Sequence, residues 1–180
     1  LDWNEHNRPE GAAEMAEQIR ACTWPDDIVS ALVEDARLAY DEGDLLGAYD
    51  RLAKGLDVDP GNASVHFARG RIYHQEGEHP WAIQELEAAS RVEPRAETYS
   101  LLGRCYLECE AQYEKALDAL EEAVQYEKSA EVLELRARAY RGLGRREDAL
   151  RDLRESIELE RDESLKERRA YQLARWEEEA

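Results

Sequence analysis

The 180-residue sequence predicts an all-α chain of antiparallel helix pairs, stacked one on the next as an α-solenoid. Three observations predict it. The first is self-similarity at a fixed offset. Gly43 and Gly77, Ala48 and Ala82, Leu52 and Leu86, and Pro60 and Pro94 each stand 34 residues apart. Gly70 and Tyr73 recur as Gly103 and Tyr106 at an offset of 33, and Tyr106 recurs as Tyr140 at 34. The second is apolar spacing by threes and fours, as in Leu101, Leu102, Cys105, Tyr106 and again in Ala116, Leu117, Leu120, Ala123, Val124. The third is punctuation. Turns are predicted at Gly43-Asp44, Gly77-Glu78 and Gly144-Arg145, and small residues at Gly70, Gly103, Ala82, Ala116 and Ala149 allow paired helices to approach closely.

These residues resemble the tetratricopeptide repeat (TPR) family, whose 34-residue pattern is W-x2-L-G-x2-Y, then A-x3-F, then P. Residues 29–62 form the loosest match, with Leu32, Ala36, Tyr40, Gly43, Ala48, Leu52, Gly55 and Pro60. Residues 63–95 read His66-x2-Arg69-Gly70-x2-Tyr73, then Ala82-x3-Leu86, Ala89 and Pro94. Residues 96–129 read Tyr99-x2-Leu102-Gly103-x2-Tyr106, then Ala116-x3-Leu120 and Ala123, with one extra residue in the loop Glu108–Gln112. Residues 130–162 supply Leu133, Ala137, Tyr140, Gly144, Ala149 and Leu153. The resemblance implies a right-handed TPR superhelix of four repeats. Where the closing proline is replaced by Lys128 and Arg161, we expect smoother helix-to-helix passages or slightly altered repeat angles.

Local signals place the helix starts. Asn62 and Ser129 stand where N-caps belong, and Pro80 suits a first helical turn. The C-terminal segment, 163–180, reads as a capping helix that seals the last repeat with Leu165, Ala170, Leu173, Ala174 and Trp176. The N-terminal segment, 1–28, carries a helical stripe of Ala12, Met15, Ile19 and Cys22. Thr23 and Asp26 form a capping-box pattern opening a helix from about Trp24 to Glu42. This segment reads either as an N-terminal cap or as an interaction arm carrying Trp3 and Trp24.

Charge bounds the partners. The chain carries 42 acidic and 24 basic side chains, a net −18. So acidic a surface repels phosphates, which argues against nucleic acid and anionic membranes. The charge is uneven: −10 over residues 1–60, −6 over 61–129 and −2 over 130–180. No apolar run is long enough to span a membrane, and residues 1–10 are too polar for a signal peptide, so a cytoplasmic location is expected. The chain begins with leucine rather than methionine, so it reads as a fragment or a processed form from which any targeting segment can have been lost. Three cysteines do not make a disulfide scaffold. Twenty Arg against four Lys, with abundant Ala, fit a GC-rich bacterial genome.

The family resemblance implies that positions 2, 5, 9, 12 and 13 of each repeat line a concave groove. Those positions hold Ser30, Val33, Arg37, Tyr40 and Asp41, then Ser64, Phe67, Arg71, His74 and Gln75. They continue with Glu97, Ser100, Arg104, Leu107 and Glu108, then Glu131, Glu134, Arg138, Arg141 and Gly142. Position 9 is arginine throughout. The candidate ligand-binding residues are therefore Arg37, Tyr40, Phe67, Arg71, His74, Arg104, Leu107, Arg138 and Arg141. Arginine grips carboxylates in a bidentate fork, so the ladder suits an acidic or carboxylate-bearing segment. The other reading is internal pairing with Asp41, Glu97, Glu108 or Glu131. The Lys/Asn clamp by which some TPRs hold a chaperone's C-terminal carboxylate is absent. Val33, Arg37 and Ala68 stand at its positions, and the frame one repeat on gives Phe67, Arg71 and Leu101.

No catalytic motif is present: no Ser–His–Asp order, no phosphate loop, no HExxH. We expect no enzyme activity, no cofactor and no metal. Cys105 and Cys109 could hold an ion with His74, but core packing is the simpler account of such a pair. His66 takes the aromatic slot, and His74 and His79 are expected in solvent. The function expected is a protein-interaction scaffold that binds a peptide segment of a partner in its groove. The alternatives are an acidic convex face docking a basic partner, and a self-associating homo-oligomeric module.

Overall fold

The computed structural model describes residues 25–109 and 112–178. The N-terminal stripe, Thr23, Trp3 and Trp24 lie outside the described residues. All regular structure among the described residues is α-helical. The helices are α1 (Pro25–Asp41), α2 (Leu45–Val58), α3 (Ala63–Gln75), α4 (His79–Val92), α5 (Ala96–Glu108), α6 (Tyr113–Tyr126), α7 (Ala130–Gly142), α8 (Arg146–Leu159) and α9 (Glu163–Glu178). The chain divides into two compact units, one ending at Pro60 and one beginning at Gly61.

In the first unit α1 packs against α2 around the fully buried Ala36, Ala48 and Leu52. Gly43 turns the chain at φ +84°, and the Asp44 carboxylate accepts from the Gly47 N–H at 2.8 Å to cap α2.

The second unit holds the hairpins α3–α4, α5–α6 and α7–α8, with α9 packed on α8. Each hairpin also touches the next, α4 on α5 and α6 on α7. The helix starts follow the sequence signals. Asn62 Oδ1 accepts from the Ser64 and Val65 N–H groups at 3.1 and 3.2 Å, and Ser129 Oγ accepts from Val132 N–H at 3.2 Å. One continuous core runs from Ala82 and Leu86 through Leu102, Cys105, Tyr106, Leu120, Tyr140 and Leu153 to Trp176. No single hairpin could bury this set alone, which is why the helix pairs stack.

Close approach explains two small residues. A Cβ at Gly103 would fall 2.5 Å from Leu120 Cγ, and one at Gly70 would fall 2.7 Å from Leu86 Cγ. The extra residue in the α5–α6 loop is also visible. Three turns close with a bond from the residue after glycine to the carbonyl five back: Asp44 to Ala39, Glu78 to Tyr73 and Arg145 to Tyr140, each at 2.8 Å. At the α5–α6 loop Gln112 N–H reaches six back, to the Tyr106 carbonyl at 3.0 Å.

The passages without proline are as long as the one that contains it. Residues 93–95, 127–129 and 160–162 are equal three-residue connections, although only the first contains proline. Glu93, Glu127 and Glu160 all take extended backbone at the helix C-caps. Extended backbone at these caps therefore does not require the proline.

Polar bonds recur with the repeat. Tyr106 Oη donates to Glu87 at 2.6 Å, and Tyr140 Oη points to Glu121 at 3.4 Å, each joining one hairpin to the next. Inside hairpins, Arg69 pairs with Glu85 at 3.2 Å and Arg136 with Asp152 at 2.6 Å. No helix among the described residues is long and apolar enough to cross a membrane.

Candidate functional site

Helix α3 touches α5, and α5 touches α7. The first helices of successive pairs thus form an inner layer, and α9 continues it. Arg168 and Arg169 on α9 reach back to Glu134 on α7, with bonds of 3.0 and 2.7 Å. The Arg169 side chain, 3% exposed, also bonds to Glu160. Arg146 donates to the carbonyls of Trp176 and Glu177, each at 2.8 Å, and so satisfies the C-terminus of α9. The Glu160 carboxyl is held down to about 2, first by the backbone N–H of Asp162 and then by Arg169.

The predicted groove arginines divide into two groups. Arg37 is engaged within its own helix, with Glu34 at 2.5 Å and Asp41 at 2.8 Å, which raises its pKa. Arg104 is engaged with Glu131 of the next hairpin. Arg71 and Arg138 have no ion-pair partner among the described residues. Sequence spacing accounts for the difference. Glu131 stands 27 residues after Arg104, and the same step from Arg71 and Arg138 reaches Thr98 and Leu165.

Arg138 opens onto a cleft of about 670 Å³. Its walls are Leu107 from the end of α5, Tyr113 from the start of α6, Arg138, Arg141 and Gly142 from α7, and Arg168, Tyr171, Gln172, Arg175 and Trp176 from α9. Four arginines and three aromatic rings face one space, and no carboxylate lines it among the described residues. The Arg141 guanidinium lies over the Trp176 ring, 4.7 Å from its centroid. That contact holds the guanidinium plane against the indole face at the edge of the cleft. The close approach of Tyr113 requires Gly142, where a Cβ would fall 2.3 Å from the ring.

Of the predicted site residues, the cleft collects Leu107, Arg138 and Arg141. Leu107 is buried and lines it. Phe67 is half-buried against the core, Tyr40 belongs to the first unit, and His74 bonds to Glu108 at 3.0 Å. His74 and His79 are not solvated as expected. Their side chains are 18% and 24% exposed, tucked against the end of α5. Cys105 packs in the core, where burial pushes its thiol up to about 12.

The α9 residues of the cleft were not predicted, yet a signal for them exists. Adding 34 to Glu134, Arg138, Arg141 and Gly142 gives Arg168, Gln172, Arg175 and Trp176. The groove register therefore continues through the segment that reads as a cap.

Two family models, both described as tetratricopeptide repeat, match residues 39–105 and 130–163. A comparison with curated proteins finds no match. Among solved structures the chain resembles pilF of Pseudomonas aeruginosa, with a TM-score of 0.74 and 23% identity over 86% of this chain and 71% of that one. It resembles MamA at a TM-score of 0.68 and 22% identity, over 74% of each chain. It also resembles YrrB, described as a TPR protein with an unusual peptide-binding site, at 0.66 and 21% over 72% of this chain and 67% of that one. These likenesses carry the fold, and together with the two matched segments they make this chain a member of the tetratricopeptide repeat family.

Proposed function

We propose that the protein is a non-catalytic interaction scaffold whose α5–α7–α9 cleft holds an acidic or carboxylate-bearing segment of a partner protein. One observation carries the reading. In a chain of net charge −18, four arginines and three aromatic rings converge on a cleft without a lining carboxylate. Arg138 has no internal partner among the described residues to displace, so its fork is available to a ligand carboxylate. Tyr113, Tyr171 and Trp176 supply rigid apolar area beside the charges, the composition of a binding hot spot. The acidic remainder of the surface repels an acidic segment elsewhere and so focuses it on the cleft. The peptide-binding site named for YrrB is a property of that protein, but it agrees with this use of the fold.

The test is selection of random peptides displayed on phage against the full chain. Enrichment of Asp- and Glu-rich sequences is expected. Enrichment of basic sequences, or of none, contradicts the proposal.

A second reading rests on a different cavity. A space of about 450 Å³ between α4, α5 and α6 is lined by Glu87, Asp118, Glu121 and Glu122 beside Tyr99 and Tyr106. Its acidity suits a basic side chain of a partner, although Lys115 shares the space and Glu87 already bonds to Tyr106. Binding there weakens steeply with salt.

A further inference from the structure

Three elements meet where the first turn of the second unit closes. His74 lies in the last turn of α3, His79 opens α4, and Cys105 and Glu108 lie in the last turn of α5. The ligand atoms of His74, His79 and Cys105 all lie within 4.8 Å of one another. One oxygen, Glu108 Oε2, sits 3.0 Å from His74 Nε2 and 3.8 Å from His79 Nδ1.

A hydrogen-bonded cluster does not explain this arrangement. Glu108 satisfies His74, but 3.8 Å is too long for a hydrogen bond to His79. His79 Nδ1 is left buried with no partner among the described residues, a costly state for a ring nitrogen.

The geometry points to a zinc-class metal site of His74, His79, Cys105 and Glu108, tying the α3–α4 turn to the end of α5. Two imidazoles, a thiolate and a carboxylate are a borderline donor set, which suits Zn(II) better than Mg(II) or Ca(II). Tetrahedral bonds of about 2.0–2.3 Å place donor atoms about 3.3–3.8 Å apart, so adjustments of about 1 Å bring the atoms of His74, His79 and Cys105 onto an ion, with the Glu108 carboxylate beside the two imidazoles to complete the set. As the metal–sulfur bond forms, the Cys105 proton leaves to solvent, and both histidines bind as neutral rings. The site differs from the one the sequence suggests. Cys109, one turn beyond Cys105, caps α5 with its backbone and stands outside the cluster, and His79 takes its place.

The experiment uses the full chain, treated with chelator and reductant and then titrated with Co(II). A single equivalent should give the near-ultraviolet sulfur-to-cobalt charge-transfer band and tetrahedral visible bands, both displaced by Zn(II). Zn(II) should raise the thermal midpoint of the same sample. Cys105→Ser should abolish the charge-transfer band, and His79→Gln should weaken Zn(II) binding roughly a hundredfold or more, since even outer-shell partners are worth about 10–100-fold. Cys109→Ser should leave both signals intact. Far-ultraviolet circular dichroism checks that each variant is folded, and His79→Gln serves if Cys105→Ser is not. Absence of the cobalt bands in the folded wild-type chain overturns the site. So does a charge-transfer band that survives Cys105→Ser and disappears with Cys109→Ser.

Discussion

Arg136 and Asp152 form a buried ion pair inside the α7–α8 hairpin: Arg136 Nε donates to Asp152 Oδ2 at 2.6 Å, and Asp152 is 1% exposed. Burial opposes the arginine charge, but the aspartate outweighs it and raises the Arg136 pKa. The equivalent positions of the α5–α6 hairpin hold Leu102 and Ala119, both buried. The protein thus contains its own apolar replacement for the pair. Asp152→Ala should cost about 3–5 kcal/mol, because it strands Arg136. Arg136→Leu combined with Asp152→Ala should recover most of that loss. Urea unfolding midpoints of wild type and the two variants check both statements.

Gly103 sets the distance between α5 and α6. Gly103→Ala gains up to about 1 kcal/mol of helix propensity but drives a methyl into Leu120, which is fully buried and cannot retreat. The net expectation is a destabilisation of about 1–3 kcal/mol, read from the same unfolding curves. A stabilised Gly103→Ala would mean that the helices separate at little cost.

Much of this was legible in the sequence, because it depends on periodicity. The close approach at Gly103 and the turn at Gly144 follow from the 34-residue register, and the caps Asn62 and Ser129 from local signals at the helix starts. The fate of each groove arginine was not legible from its own position. Arg104 is engaged by Glu131, whereas the residue at the same spacing from Arg138 is Leu165, so the neighbouring repeat decides. The α9 half of the cleft was hidden for another reason. Trp176 and Leu173 pack as a cap would, and one helix face serves both the core and the cleft.

Cysteine chemistry should separate neighbours one turn apart. With its thiol up at about 12, Cys105 holds roughly a thousandfold less thiolate at pH 8 than a free cysteine. In chelator-treated protein, a disulfide reagent followed by mass spectrometry should modify Cys109 well before Cys105. Equal rates would show that α5 opens readily at its C-terminal end.

The α8–α9 connection should soften in acid. Glu160 titrates at about 2 in the folded chain against 4.5 unperturbed, a downward shift. Its stabilisation is therefore complete above the unperturbed value and is lost as pH falls toward about 2. The stability difference between wild type and Glu160→Gln should shrink across that interval. A difference that stays constant from neutral pH to about pH 2 would contradict the role given to the Asp162 N–H and Arg169.

The central claim is that Arg138 and its neighbours in the α5–α7–α9 cleft receive a carboxylate. The direct measurement is isothermal titration of a selected acidic peptide into wild type, Arg138→Ala and Arg71→Ala at fixed ionic strength. Loss of a charge-assisted bond is worth about 1.5–3 kcal/mol, or about 10- to 150-fold in affinity. The account predicts a loss of that size for Arg138→Ala and little change for Arg71→Ala, which lies outside the cleft. Equal affinity of wild type and Arg138→Ala would contradict it.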